Sequence, residues 1–186
     1  SFETLNNFNK SCSVDVFFAL SHGVHRGKLK SGKEDGRIIF LEKLQQLTSD
    51  VKFDLYGINN VQPIWADHYF KTISNAKMGL NLSRGDAIKY YSSDRITQIV
   101  GNGLVCLIDE KTQYRDFFKD DEMVFYKNLS DLSEKIMKIS KDDKLRKKIA
   151  KKGKNKYMKF FNSTKVANYI INKSLDLKDK KYLWEN

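Results

Sequence analysis

Residues 77–108 of the chain read KMGLNLSRGDAIKYYSSDRITQIVGNGLVCLI, and they contain one complete strand–helix–strand pattern. The runs at 78–82 and 104–108 are each five residues long and almost wholly apolar, which predicts strands buried on both faces of a parallel sheet. The helix between them is predicted to end at Asn102-Gly103, because these residue types readily follow a helix end. The pattern consists of an apolar run at 78–82, a polar loop at 83–93, a helical segment at about 94–101 and a second apolar run at 104–108.

The same alternation extends through most of the chain. Further apolar runs lie at 14–20, 51–56 and 123–126, and helical patterns lie at 37–48, at 67–76 and from 129 onward. Strands that alternate with helices imply βαβ units and right-handed crossovers. We therefore predict an α/β fold, with a Rossmann-like parallel sheet, helices on both faces and a helical C-terminus. The predicted organisation is an irregular leader at 1–13, a Rossmann-like domain at 14–162, and a C-terminal helix and tail at 163–186, with Ser163 or Thr164 as the cap of that helix.

The net charge of +11 at pH 7 lies almost wholly in the C-terminal part of the chain. Residues 129–186 contain 17 Lys and Arg against 7 Asp and Glu. A lysine-rich face attracts phosphates or an anionic membrane surface. Leu145, Ile149, Tyr157 and Phe161 recur at helical spacing, so we expect that stripe to face the core and the lysines to form the solvated outer face. No nucleic-acid recognition motif accompanies the lysines.

Cysteine and histidine residues give no sign of a metal site or a disulfide framework. Cys12 and Cys106 are far apart in sequence, and we expect both to be buried bystanders. The spacing of His22, His25 and His68 matches no helical zinc motif, so we predict no bound metal.

Targeting signals are also missing from the sequence. No basic region followed by an apolar segment opens the chain, and no apolar stretch approaches the roughly 20 residues that a membrane span needs. We expect a cytoplasmic protein. Because the sequence begins at Ser1 rather than at a methionine, we expect a processed chain or a piece of a longer one.

Two polar loops follow strand ends, where ligands bind in parallel α/β sheets. The loop at 22–37 is rich in lysine and arginine. The loop at 83–95 leads into a helix whose first N–H groups attract phosphate, and its arginines and lysine would add charge-assisted hydrogen bonds. Its two adjacent tyrosines would stack on a base or a sugar. The predicted binding residues in these loops are Arg26, Lys33, Arg84, Gly85, Lys89, Tyr90, Tyr91, Ser92, Ser93 and Arg95.

Two alternatives remain open at this point. Residues 27–33, GKLKSGK, have the glycine and lysine spacing of a P-loop, which would indicate a nucleotidase. However, Glu34 stands where a P-loop has the Ser or Thr that binds Mg²⁺, and the first glycine follows the predicted strand by several residues. The second alternative is a non-catalytic basic α/β module that binds nucleic acid or an anionic membrane.

The central and C-terminal motifs resemble those of a known family. The run KMGLNLSRGDAIKYYSSDRITQIVGNGLVCLIDEKTQYRDFF is followed by EMVFYKNLSDLSEKI and by KLRKKIAKKGKNKY. Together they are similar to the donor-binding domain of family-1-type bacterial glycosyltransferases, over roughly residues 77–160. The resemblance implies one half of a GT-B fold, in which two Rossmann-like halves enclose the active site.

The resemblance also implies a function. The family transfers a sugar from a nucleotide diphosphate donor to a saccharide or lipid-linked acceptor, usually without a metal or other cofactor. Arg95 falls on the family's arginine, Gln98 falls where a glutamate usually holds the ribose, and Tyr90 falls where an acid often contacts the sugar. The catalytic base is expected on a missing N-terminal half. Peripheral contact with the inner face of a membrane, through the Lys-rich C-terminal helices, is a further expectation.

Overall fold

A computed structural model describes residues 5–21, 35–91, 93–177, 182 and 184–185. Within these ranges five strands form one sheet in the order β2-β1-β3-β4-β5, and every neighbouring pair is parallel. The predicted parallel arrangement of the four longer apolar runs is confirmed. The strands are β1 (Val14–Ala19), β2 (Phe53–Tyr56), β3 (Ala76–Asn81), β4 (Val105–Asp109) and β5 (Val124–Tyr126).

Helices cover both faces of the sheet, as predicted. Leu41 of α1 and Leu132 of α4 belong to the core on one face. Ile73 of α2 and Ile99 of α3 belong to the core on the other. The helices are α1 (Gly36–Leu47), α2 (Ala66–Ile73), α3 (Arg95–Gly101), α4 (Leu129–Lys141), α5 (Asp143–Phe160) and α6 (Ser163–Ser174).

The strand order creates a cleft between β1 and β3. From β1 the chain moves outward to β2 through α1, and it then returns to β3 on the other side of β1 through α2. Because α1 and α2 cover opposite faces, the carboxyl ends of β1 and β3 are left uncovered between them. This topological switch point is where doubly wound sheets bind ligands.

Gly79 sets the distance between α3 and the sheet. A Cβ atom at this position in β3 would lie 2.5 Å from Cγ1 of Ile99, far inside van der Waals contact. Only glycine therefore allows α3 to pack this closely on β3. The close packing fixes the start of α3, and Arg95 with it, at the carboxyl edge of the sheet.

The stretch predicted as an irregular leader is packed against the domain. Asn7–Asn9 form a turn of 3-10 helix, and Asn7 is fully buried. Arg146 of α5 donates from Nη1 to the Asn7 carbonyl at 2.7 Å and from Nη2 to the Lys10 carbonyl at 2.9 Å. Lys154, also on α5, donates to the Leu5 carbonyl at 2.8 Å.

Two expectations for the C-terminal helices were wrong in detail. Lys154 is buried rather than on the solvated outer face, because the backbone carbonyl of Leu5 in the N-terminal segment accepts its hydrogen bond. Helix α6 begins at Ser163, but the residue that caps it differs from the expected one. Its cap is Asn162, whose side chain accepts from the Lys165 amide at 3.0 Å, rather than Ser163 or Thr164.

Cys12 and Cys106 are both buried and free, as predicted. Burial raises the pKa of the Cys106 thiol well above its usual value, which keeps the sulfur protonated and inert. Among the described residues no helix has both the length and the apolar character of a membrane span.

Replacing Arg146 with methionine tests the contribution of the N-terminal segment to stability. Arg146→Met leaves the carbonyls of Asn7 and Lys10 without their donors, so we expect the free energy of unfolding in urea to fall by about 3 kcal/mol. The control is Lys148→Met, an exposed position on the same helix, where we expect a change within about 0.5 kcal/mol. Equal effects of the two substitutions would show that the buried guanidinium is dispensable.

Candidate functional site

A cleft of about 500 Å³ opens at the switch point between β1 and β3. Its walls are the end of β1, the segment that enters α2, and the first turn of α3. The lining residues are Ala19, Leu20, Ser21, Ile64, Trp65, Ala66, Tyr69, Phe70, Asp94, Arg95 and Gln98. Two of the predicted binding residues, Arg95 and Gln98, are therefore together in this cleft.

Arg95 is held in the cleft by neutral groups. Its Nη1 donates to the Leu82 carbonyl at 3.0 Å and to the Ser93 hydroxyl at 3.1 Å. Its guanidinium lies 5.0 Å from the centre of the Phe18 ring, a cation–π contact. Within the described ranges no carboxylate approaches closely enough to form an ion pair with this guanidinium.

The charge of Arg95 is only partly compensated. Burial lowers the pKa of the guanidinium, and the nearby positive charge of Arg37 lowers it further. Attraction to Asp94 offsets only part of these effects. A guanidinium remains protonated under these conditions, so the cleft contains a half-buried positive charge.

Arg37 itself is not a free cation of the basic loop at 22–37. It is buried in the first turn of α1, where Asp35 caps the helix and accepts from Arg37 Nη2 at 2.6 Å. Although it is paired with Asp35, the Arg37 guanidinium still adds to the positive electrostatic potential at Arg95.

An aromatic wall faces Arg95 across the cleft. Trp65 is 62% exposed and Phe70 is 46% exposed, which is unusual for such large apolar side chains. Behind them Tyr69 makes an edge contact with Phe17 at 5.4 Å, and burial raises the pKa of its hydroxyl to about 12. Sequence reasoning missed Trp65 and Phe70 as site residues. The sequence feature that could have indicated them is a pair of aromatic residues five positions apart, neither of which was needed to form the predicted hydrophobic core.

The loop between β3 and α3 forms one wall of a second, smaller cavity. This cavity holds about 40 Å³ and lies beyond the carboxyl ends of β3, β4 and β5. Burial raises the pKa of Tyr126, so its hydroxyl stays protonated. The lining residues are Asn81, Leu82, Ser83, Gly85, Ala87, Ile88, Tyr91, Asp109, Thr112 and Tyr126.

The remaining predicted residues of this loop are spread over its surface. Gly85 has a φ of +73°, a conformation that favours glycine, and together with Tyr91 it lines the smaller cavity. Arg84 is exposed, and the Lys89 ammonium lies 4.7 Å from the centre of the Tyr90 ring. Tyr90 faces the segment after β4, where its hydroxyl donates to Asp116. Arg26, Lys33 and Ser92 lie outside the described residues, as do His22, His25 and the P-loop-like stretch at 27–33.

The arrangement is suited to holding an anion beside a flat ring. Among the described residues no group of three or more His, Cys, Asp or Glu side chains is placed to hold a metal. A permanently charged guanidinium and two exposed aromatic rings share the larger cleft. A polar cavity that would take hydroxyl groups lies beside the loop that enters α3.

Comparison with known proteins places the chain in a family. The sequence model of the family described as glycosyl transferase-like matches residues 37–172, which is most of the chain. No curated protein sequence matches significantly.

Solved structures show the same fold. The crystal structure of TarM is similar with a TM-score of 0.63 and 14% identity, over 95% of this chain and 37% of that one. A mutant of S. aureus TarM in complex with fondaparinux, α-GlcNAc-glycerol and UDP is similar with a TM-score of 0.65 and 15% identity, over the same shares. This chain thus spans little more than a third of the length of those proteins. The predicted fold class, one Rossmann-like half of a GT-B fold, is confirmed, and the chain belongs to the glycosyl transferase-like family.

Proposed function

We propose that the cleft binds the diphosphate of a nucleotide-sugar donor, from which the sugar is transferred to a saccharide or lipid-linked acceptor. The observation that carries this proposal is the guanidinium of Arg95, a half-buried charge at the topological switch point that forms no ion pair with a carboxylate in the described part of the chain. A diphosphate would supply the missing negative charge.

The electrostatics of the cleft favour a leaving group with growing negative charge. Glycosyl transfer passes through an oxocarbenium-like transition state while the diphosphate departs. A cation fixed by the Leu82 carbonyl and by Ser93 is oriented before the reaction, so no reorganisation is needed when that charge develops. Arginine is suited to this role because its fork can bond two phosphate oxygens.

The aromatic wall supports the nucleotide part of the proposal. Trp65 and Phe70 present exposed ring surface on the side of the cleft opposite α3. Stacking of a base on an aromatic ring contributes about 1–3 kcal/mol and tolerates any base. Gln98, one turn after Arg95, offers an amide to the ribose hydroxyls. One similar solved structure, a TarM mutant, is described with UDP, so UDP-sugars are the first donors to test.

A second Rossmann-like domain would complete the active site. We propose that it supplies the catalytic base and most of the acceptor site, since the chain spans 37% of the similar solved structures. Helix α6 supports a partner surface of this kind, because it has no buried residue and it exposes Val166, Ile170 and Ile171.

The lysine-rich face of α5 supports a separate contact with an anionic membrane surface. Lys144, Lys148, Lys151 and Lys159 are exposed and recur at spacings that place them along one side of the helix. We propose that this face brings the enzyme to the inner membrane surface in the cytoplasm, and that it has no part in donor binding.

Arg95→Ala is the direct test of the proposed donor site. We expect nucleoside diphosphate binding, measured by calorimetry, to weaken by about 1.5–3 kcal/mol, the usual effect of losing a hydrogen bond to a charged group. The free energy of unfolding should change by less than about 1 kcal/mol, because neutral partners hold Arg95. Arg115→Ala, at an exposed ion pair with Asp120, is the matched control and should keep its affinity. A destabilised Arg95→Ala protein with unchanged affinity would remove Arg95 from the site.

Donor binding should not require a divalent metal. Since Arg95 supplies a fixed positive charge beside the diphosphate, we expect the dissociation constant of the best nucleotide sugar to be the same in EDTA and in Mg²⁺. Thermal shift with UDP-, GDP-, ADP- and CMP-sugars identifies that ligand. A strict Mg²⁺ requirement would instead favour the P-loop interpretation of residues 27–33.

Neutralising the lysine face should separate membrane contact from donor binding. With Lys144, Lys148, Lys151 and Lys159 changed to glutamine, we expect donor affinity to stay within about 0.5 kcal/mol of the wild type. Binding to anionic vesicles should fall, and replacement of the same four lysines by arginine should preserve it. Tight DNA or RNA binding with a steep salt dependence that the glutamines abolish would favour the nucleic-acid alternative.

A further inference from the structure

Tyr90 connects the loop that precedes α3 to the segment that follows β4. The Tyr90 amide donates to the Thr112 carbonyl at 2.8 Å, and the Tyr114 hydroxyl donates to the Tyr90 carbonyl at 3.3 Å. Both backbone groups of this one residue are therefore bonded to a segment more than 20 positions away.

The side chain of Tyr90 also contacts the segment that follows β4. Its hydroxyl donates to Asp116 Oδ2 at 2.5 Å, and its ring lies 5.0 Å from the ring of Phe117. The bond to Asp116 raises the pKa of Tyr90, so the hydroxyl remains a donor throughout the neutral range. The Lys89 ammonium lies 4.7 Å from the centre of the same ring.

The backbone of Tyr90 is strained. Its φ is +58°, in the left-handed region that a bulky residue rarely adopts. Such a conformation is unfavourable and persists only where surrounding contacts enforce it. The contacts to Thr112, Tyr114, Asp116 and Phe117 provide that enforcement.

Tyr90 adjoins one wall of the smaller cavity. Gly85, Ala87, Ile88 and Tyr91 of the same loop line the cavity, and Asp109 and Thr112 line its other side. The Tyr90 amide is bonded to Thr112 and Tyr90 precedes Tyr91, so Tyr90 connects the two sides of the cavity. Asn81, Ser83, Asp109 and Thr112 offer polar groups there, which suits the hydroxyl groups of a sugar.

We propose that the Tyr90–Asp116 hydrogen bond is a latch that positions the loop for the sugar part of the donor. Tyr90 and Asp116 are thus positioning residues that act through the cavity wall formed by Gly85 and Tyr91. The inference rests on the proposed donor binding for its ligand, but the latch itself is testable without any ligand.

The ligand-free test is amide hydrogen exchange. The Tyr90 amide and the Tyr91 amide, which donates to Ile88 at 3.1 Å, report whether the loop is held. In Tyr90→Phe and in Asp116→Ala we expect both amides to exchange roughly tenfold faster, as expected for losing one hydrogen bond to a charged group. Tyr169→Phe, which removes a hydroxyl on α6, is the matched control and should not change them. Unchanged exchange in both latch variants would overturn the proposal.

The ligand test compares a nucleoside diphosphate with its sugar conjugate. We expect both latch variants to bind the diphosphate as the wild type does, and to lose roughly fivefold to tenfold in affinity for the conjugate. The double variant should lose no more than either single one, because one interaction is removed in each case. Equal weakening of both ligands would indicate general loop damage and would overturn the positioning role. Faster exchange in a protein that binds no nucleotide would support the latch and refute the donor proposal.

Discussion

The arrangement of the domain depends on one buried guanidinium. Arg146, fully buried in α5, bonds to the carbonyls of Asn7 and Lys10 and so fastens the N-terminal segment to the last long helix before α6. Asn7 in turn donates to the carbonyls of Ile73 and Ala76, at the junction of α2 and β3. Elements distant in sequence are thereby joined at the amino ends of the strands. The carboxyl ends, where the cleft lies, remain open.

Three arginines show how the surroundings of one side chain determine its role. Arg146 and Arg37 are each bonded to a carboxylate, Asp143 and Asp35, and both serve the fold. Arg95 is only half-buried, and it bonds to a carbonyl and a hydroxyl. A buried ion pair is complete by itself, whereas a half-buried cation held by neutral groups can still gain from an anion. This contrast distinguishes the candidate binding residue from the structural ones.

Local pattern was sufficient for the fold, and tertiary contact explains what it missed. Apolar runs and helical spacing predict β1 to β5 and the layers, because the inner strands β1, β3 and β4 are buried on both faces and therefore almost wholly apolar, although the edge strand β2 is only partly buried. Arg95 was found because it lies in the first turn of a predicted helix after a polar loop, and Gln98 was found through the family resemblance. Trp65 and Phe70 were missed, since only the packing of α2 places them beside that turn. Asp116, which accepts the hydrogen bond of the Tyr90 hydroxyl, is 26 positions away in sequence, and the residue spacings of helices and strands do not predict a contact over that separation.

The two tryptophans of the chain lie in different environments, one exposed in the cleft and one packed against other aromatic rings, so their intrinsic fluorescence can report on two parts of the protein. Trp65 is 62% exposed in the cleft, so its indole emission is expected at long wavelength and is open to quenching by whatever occupies that space. Trp184 is stacked 5.4 Å from Phe161 and 5.1 Å from Tyr182, away from the cleft. Its emission should follow the docking of α6 and the tail instead. A single emission spectrum, resolved into its red and blue components, therefore separates events in the cleft from events at the C-terminus.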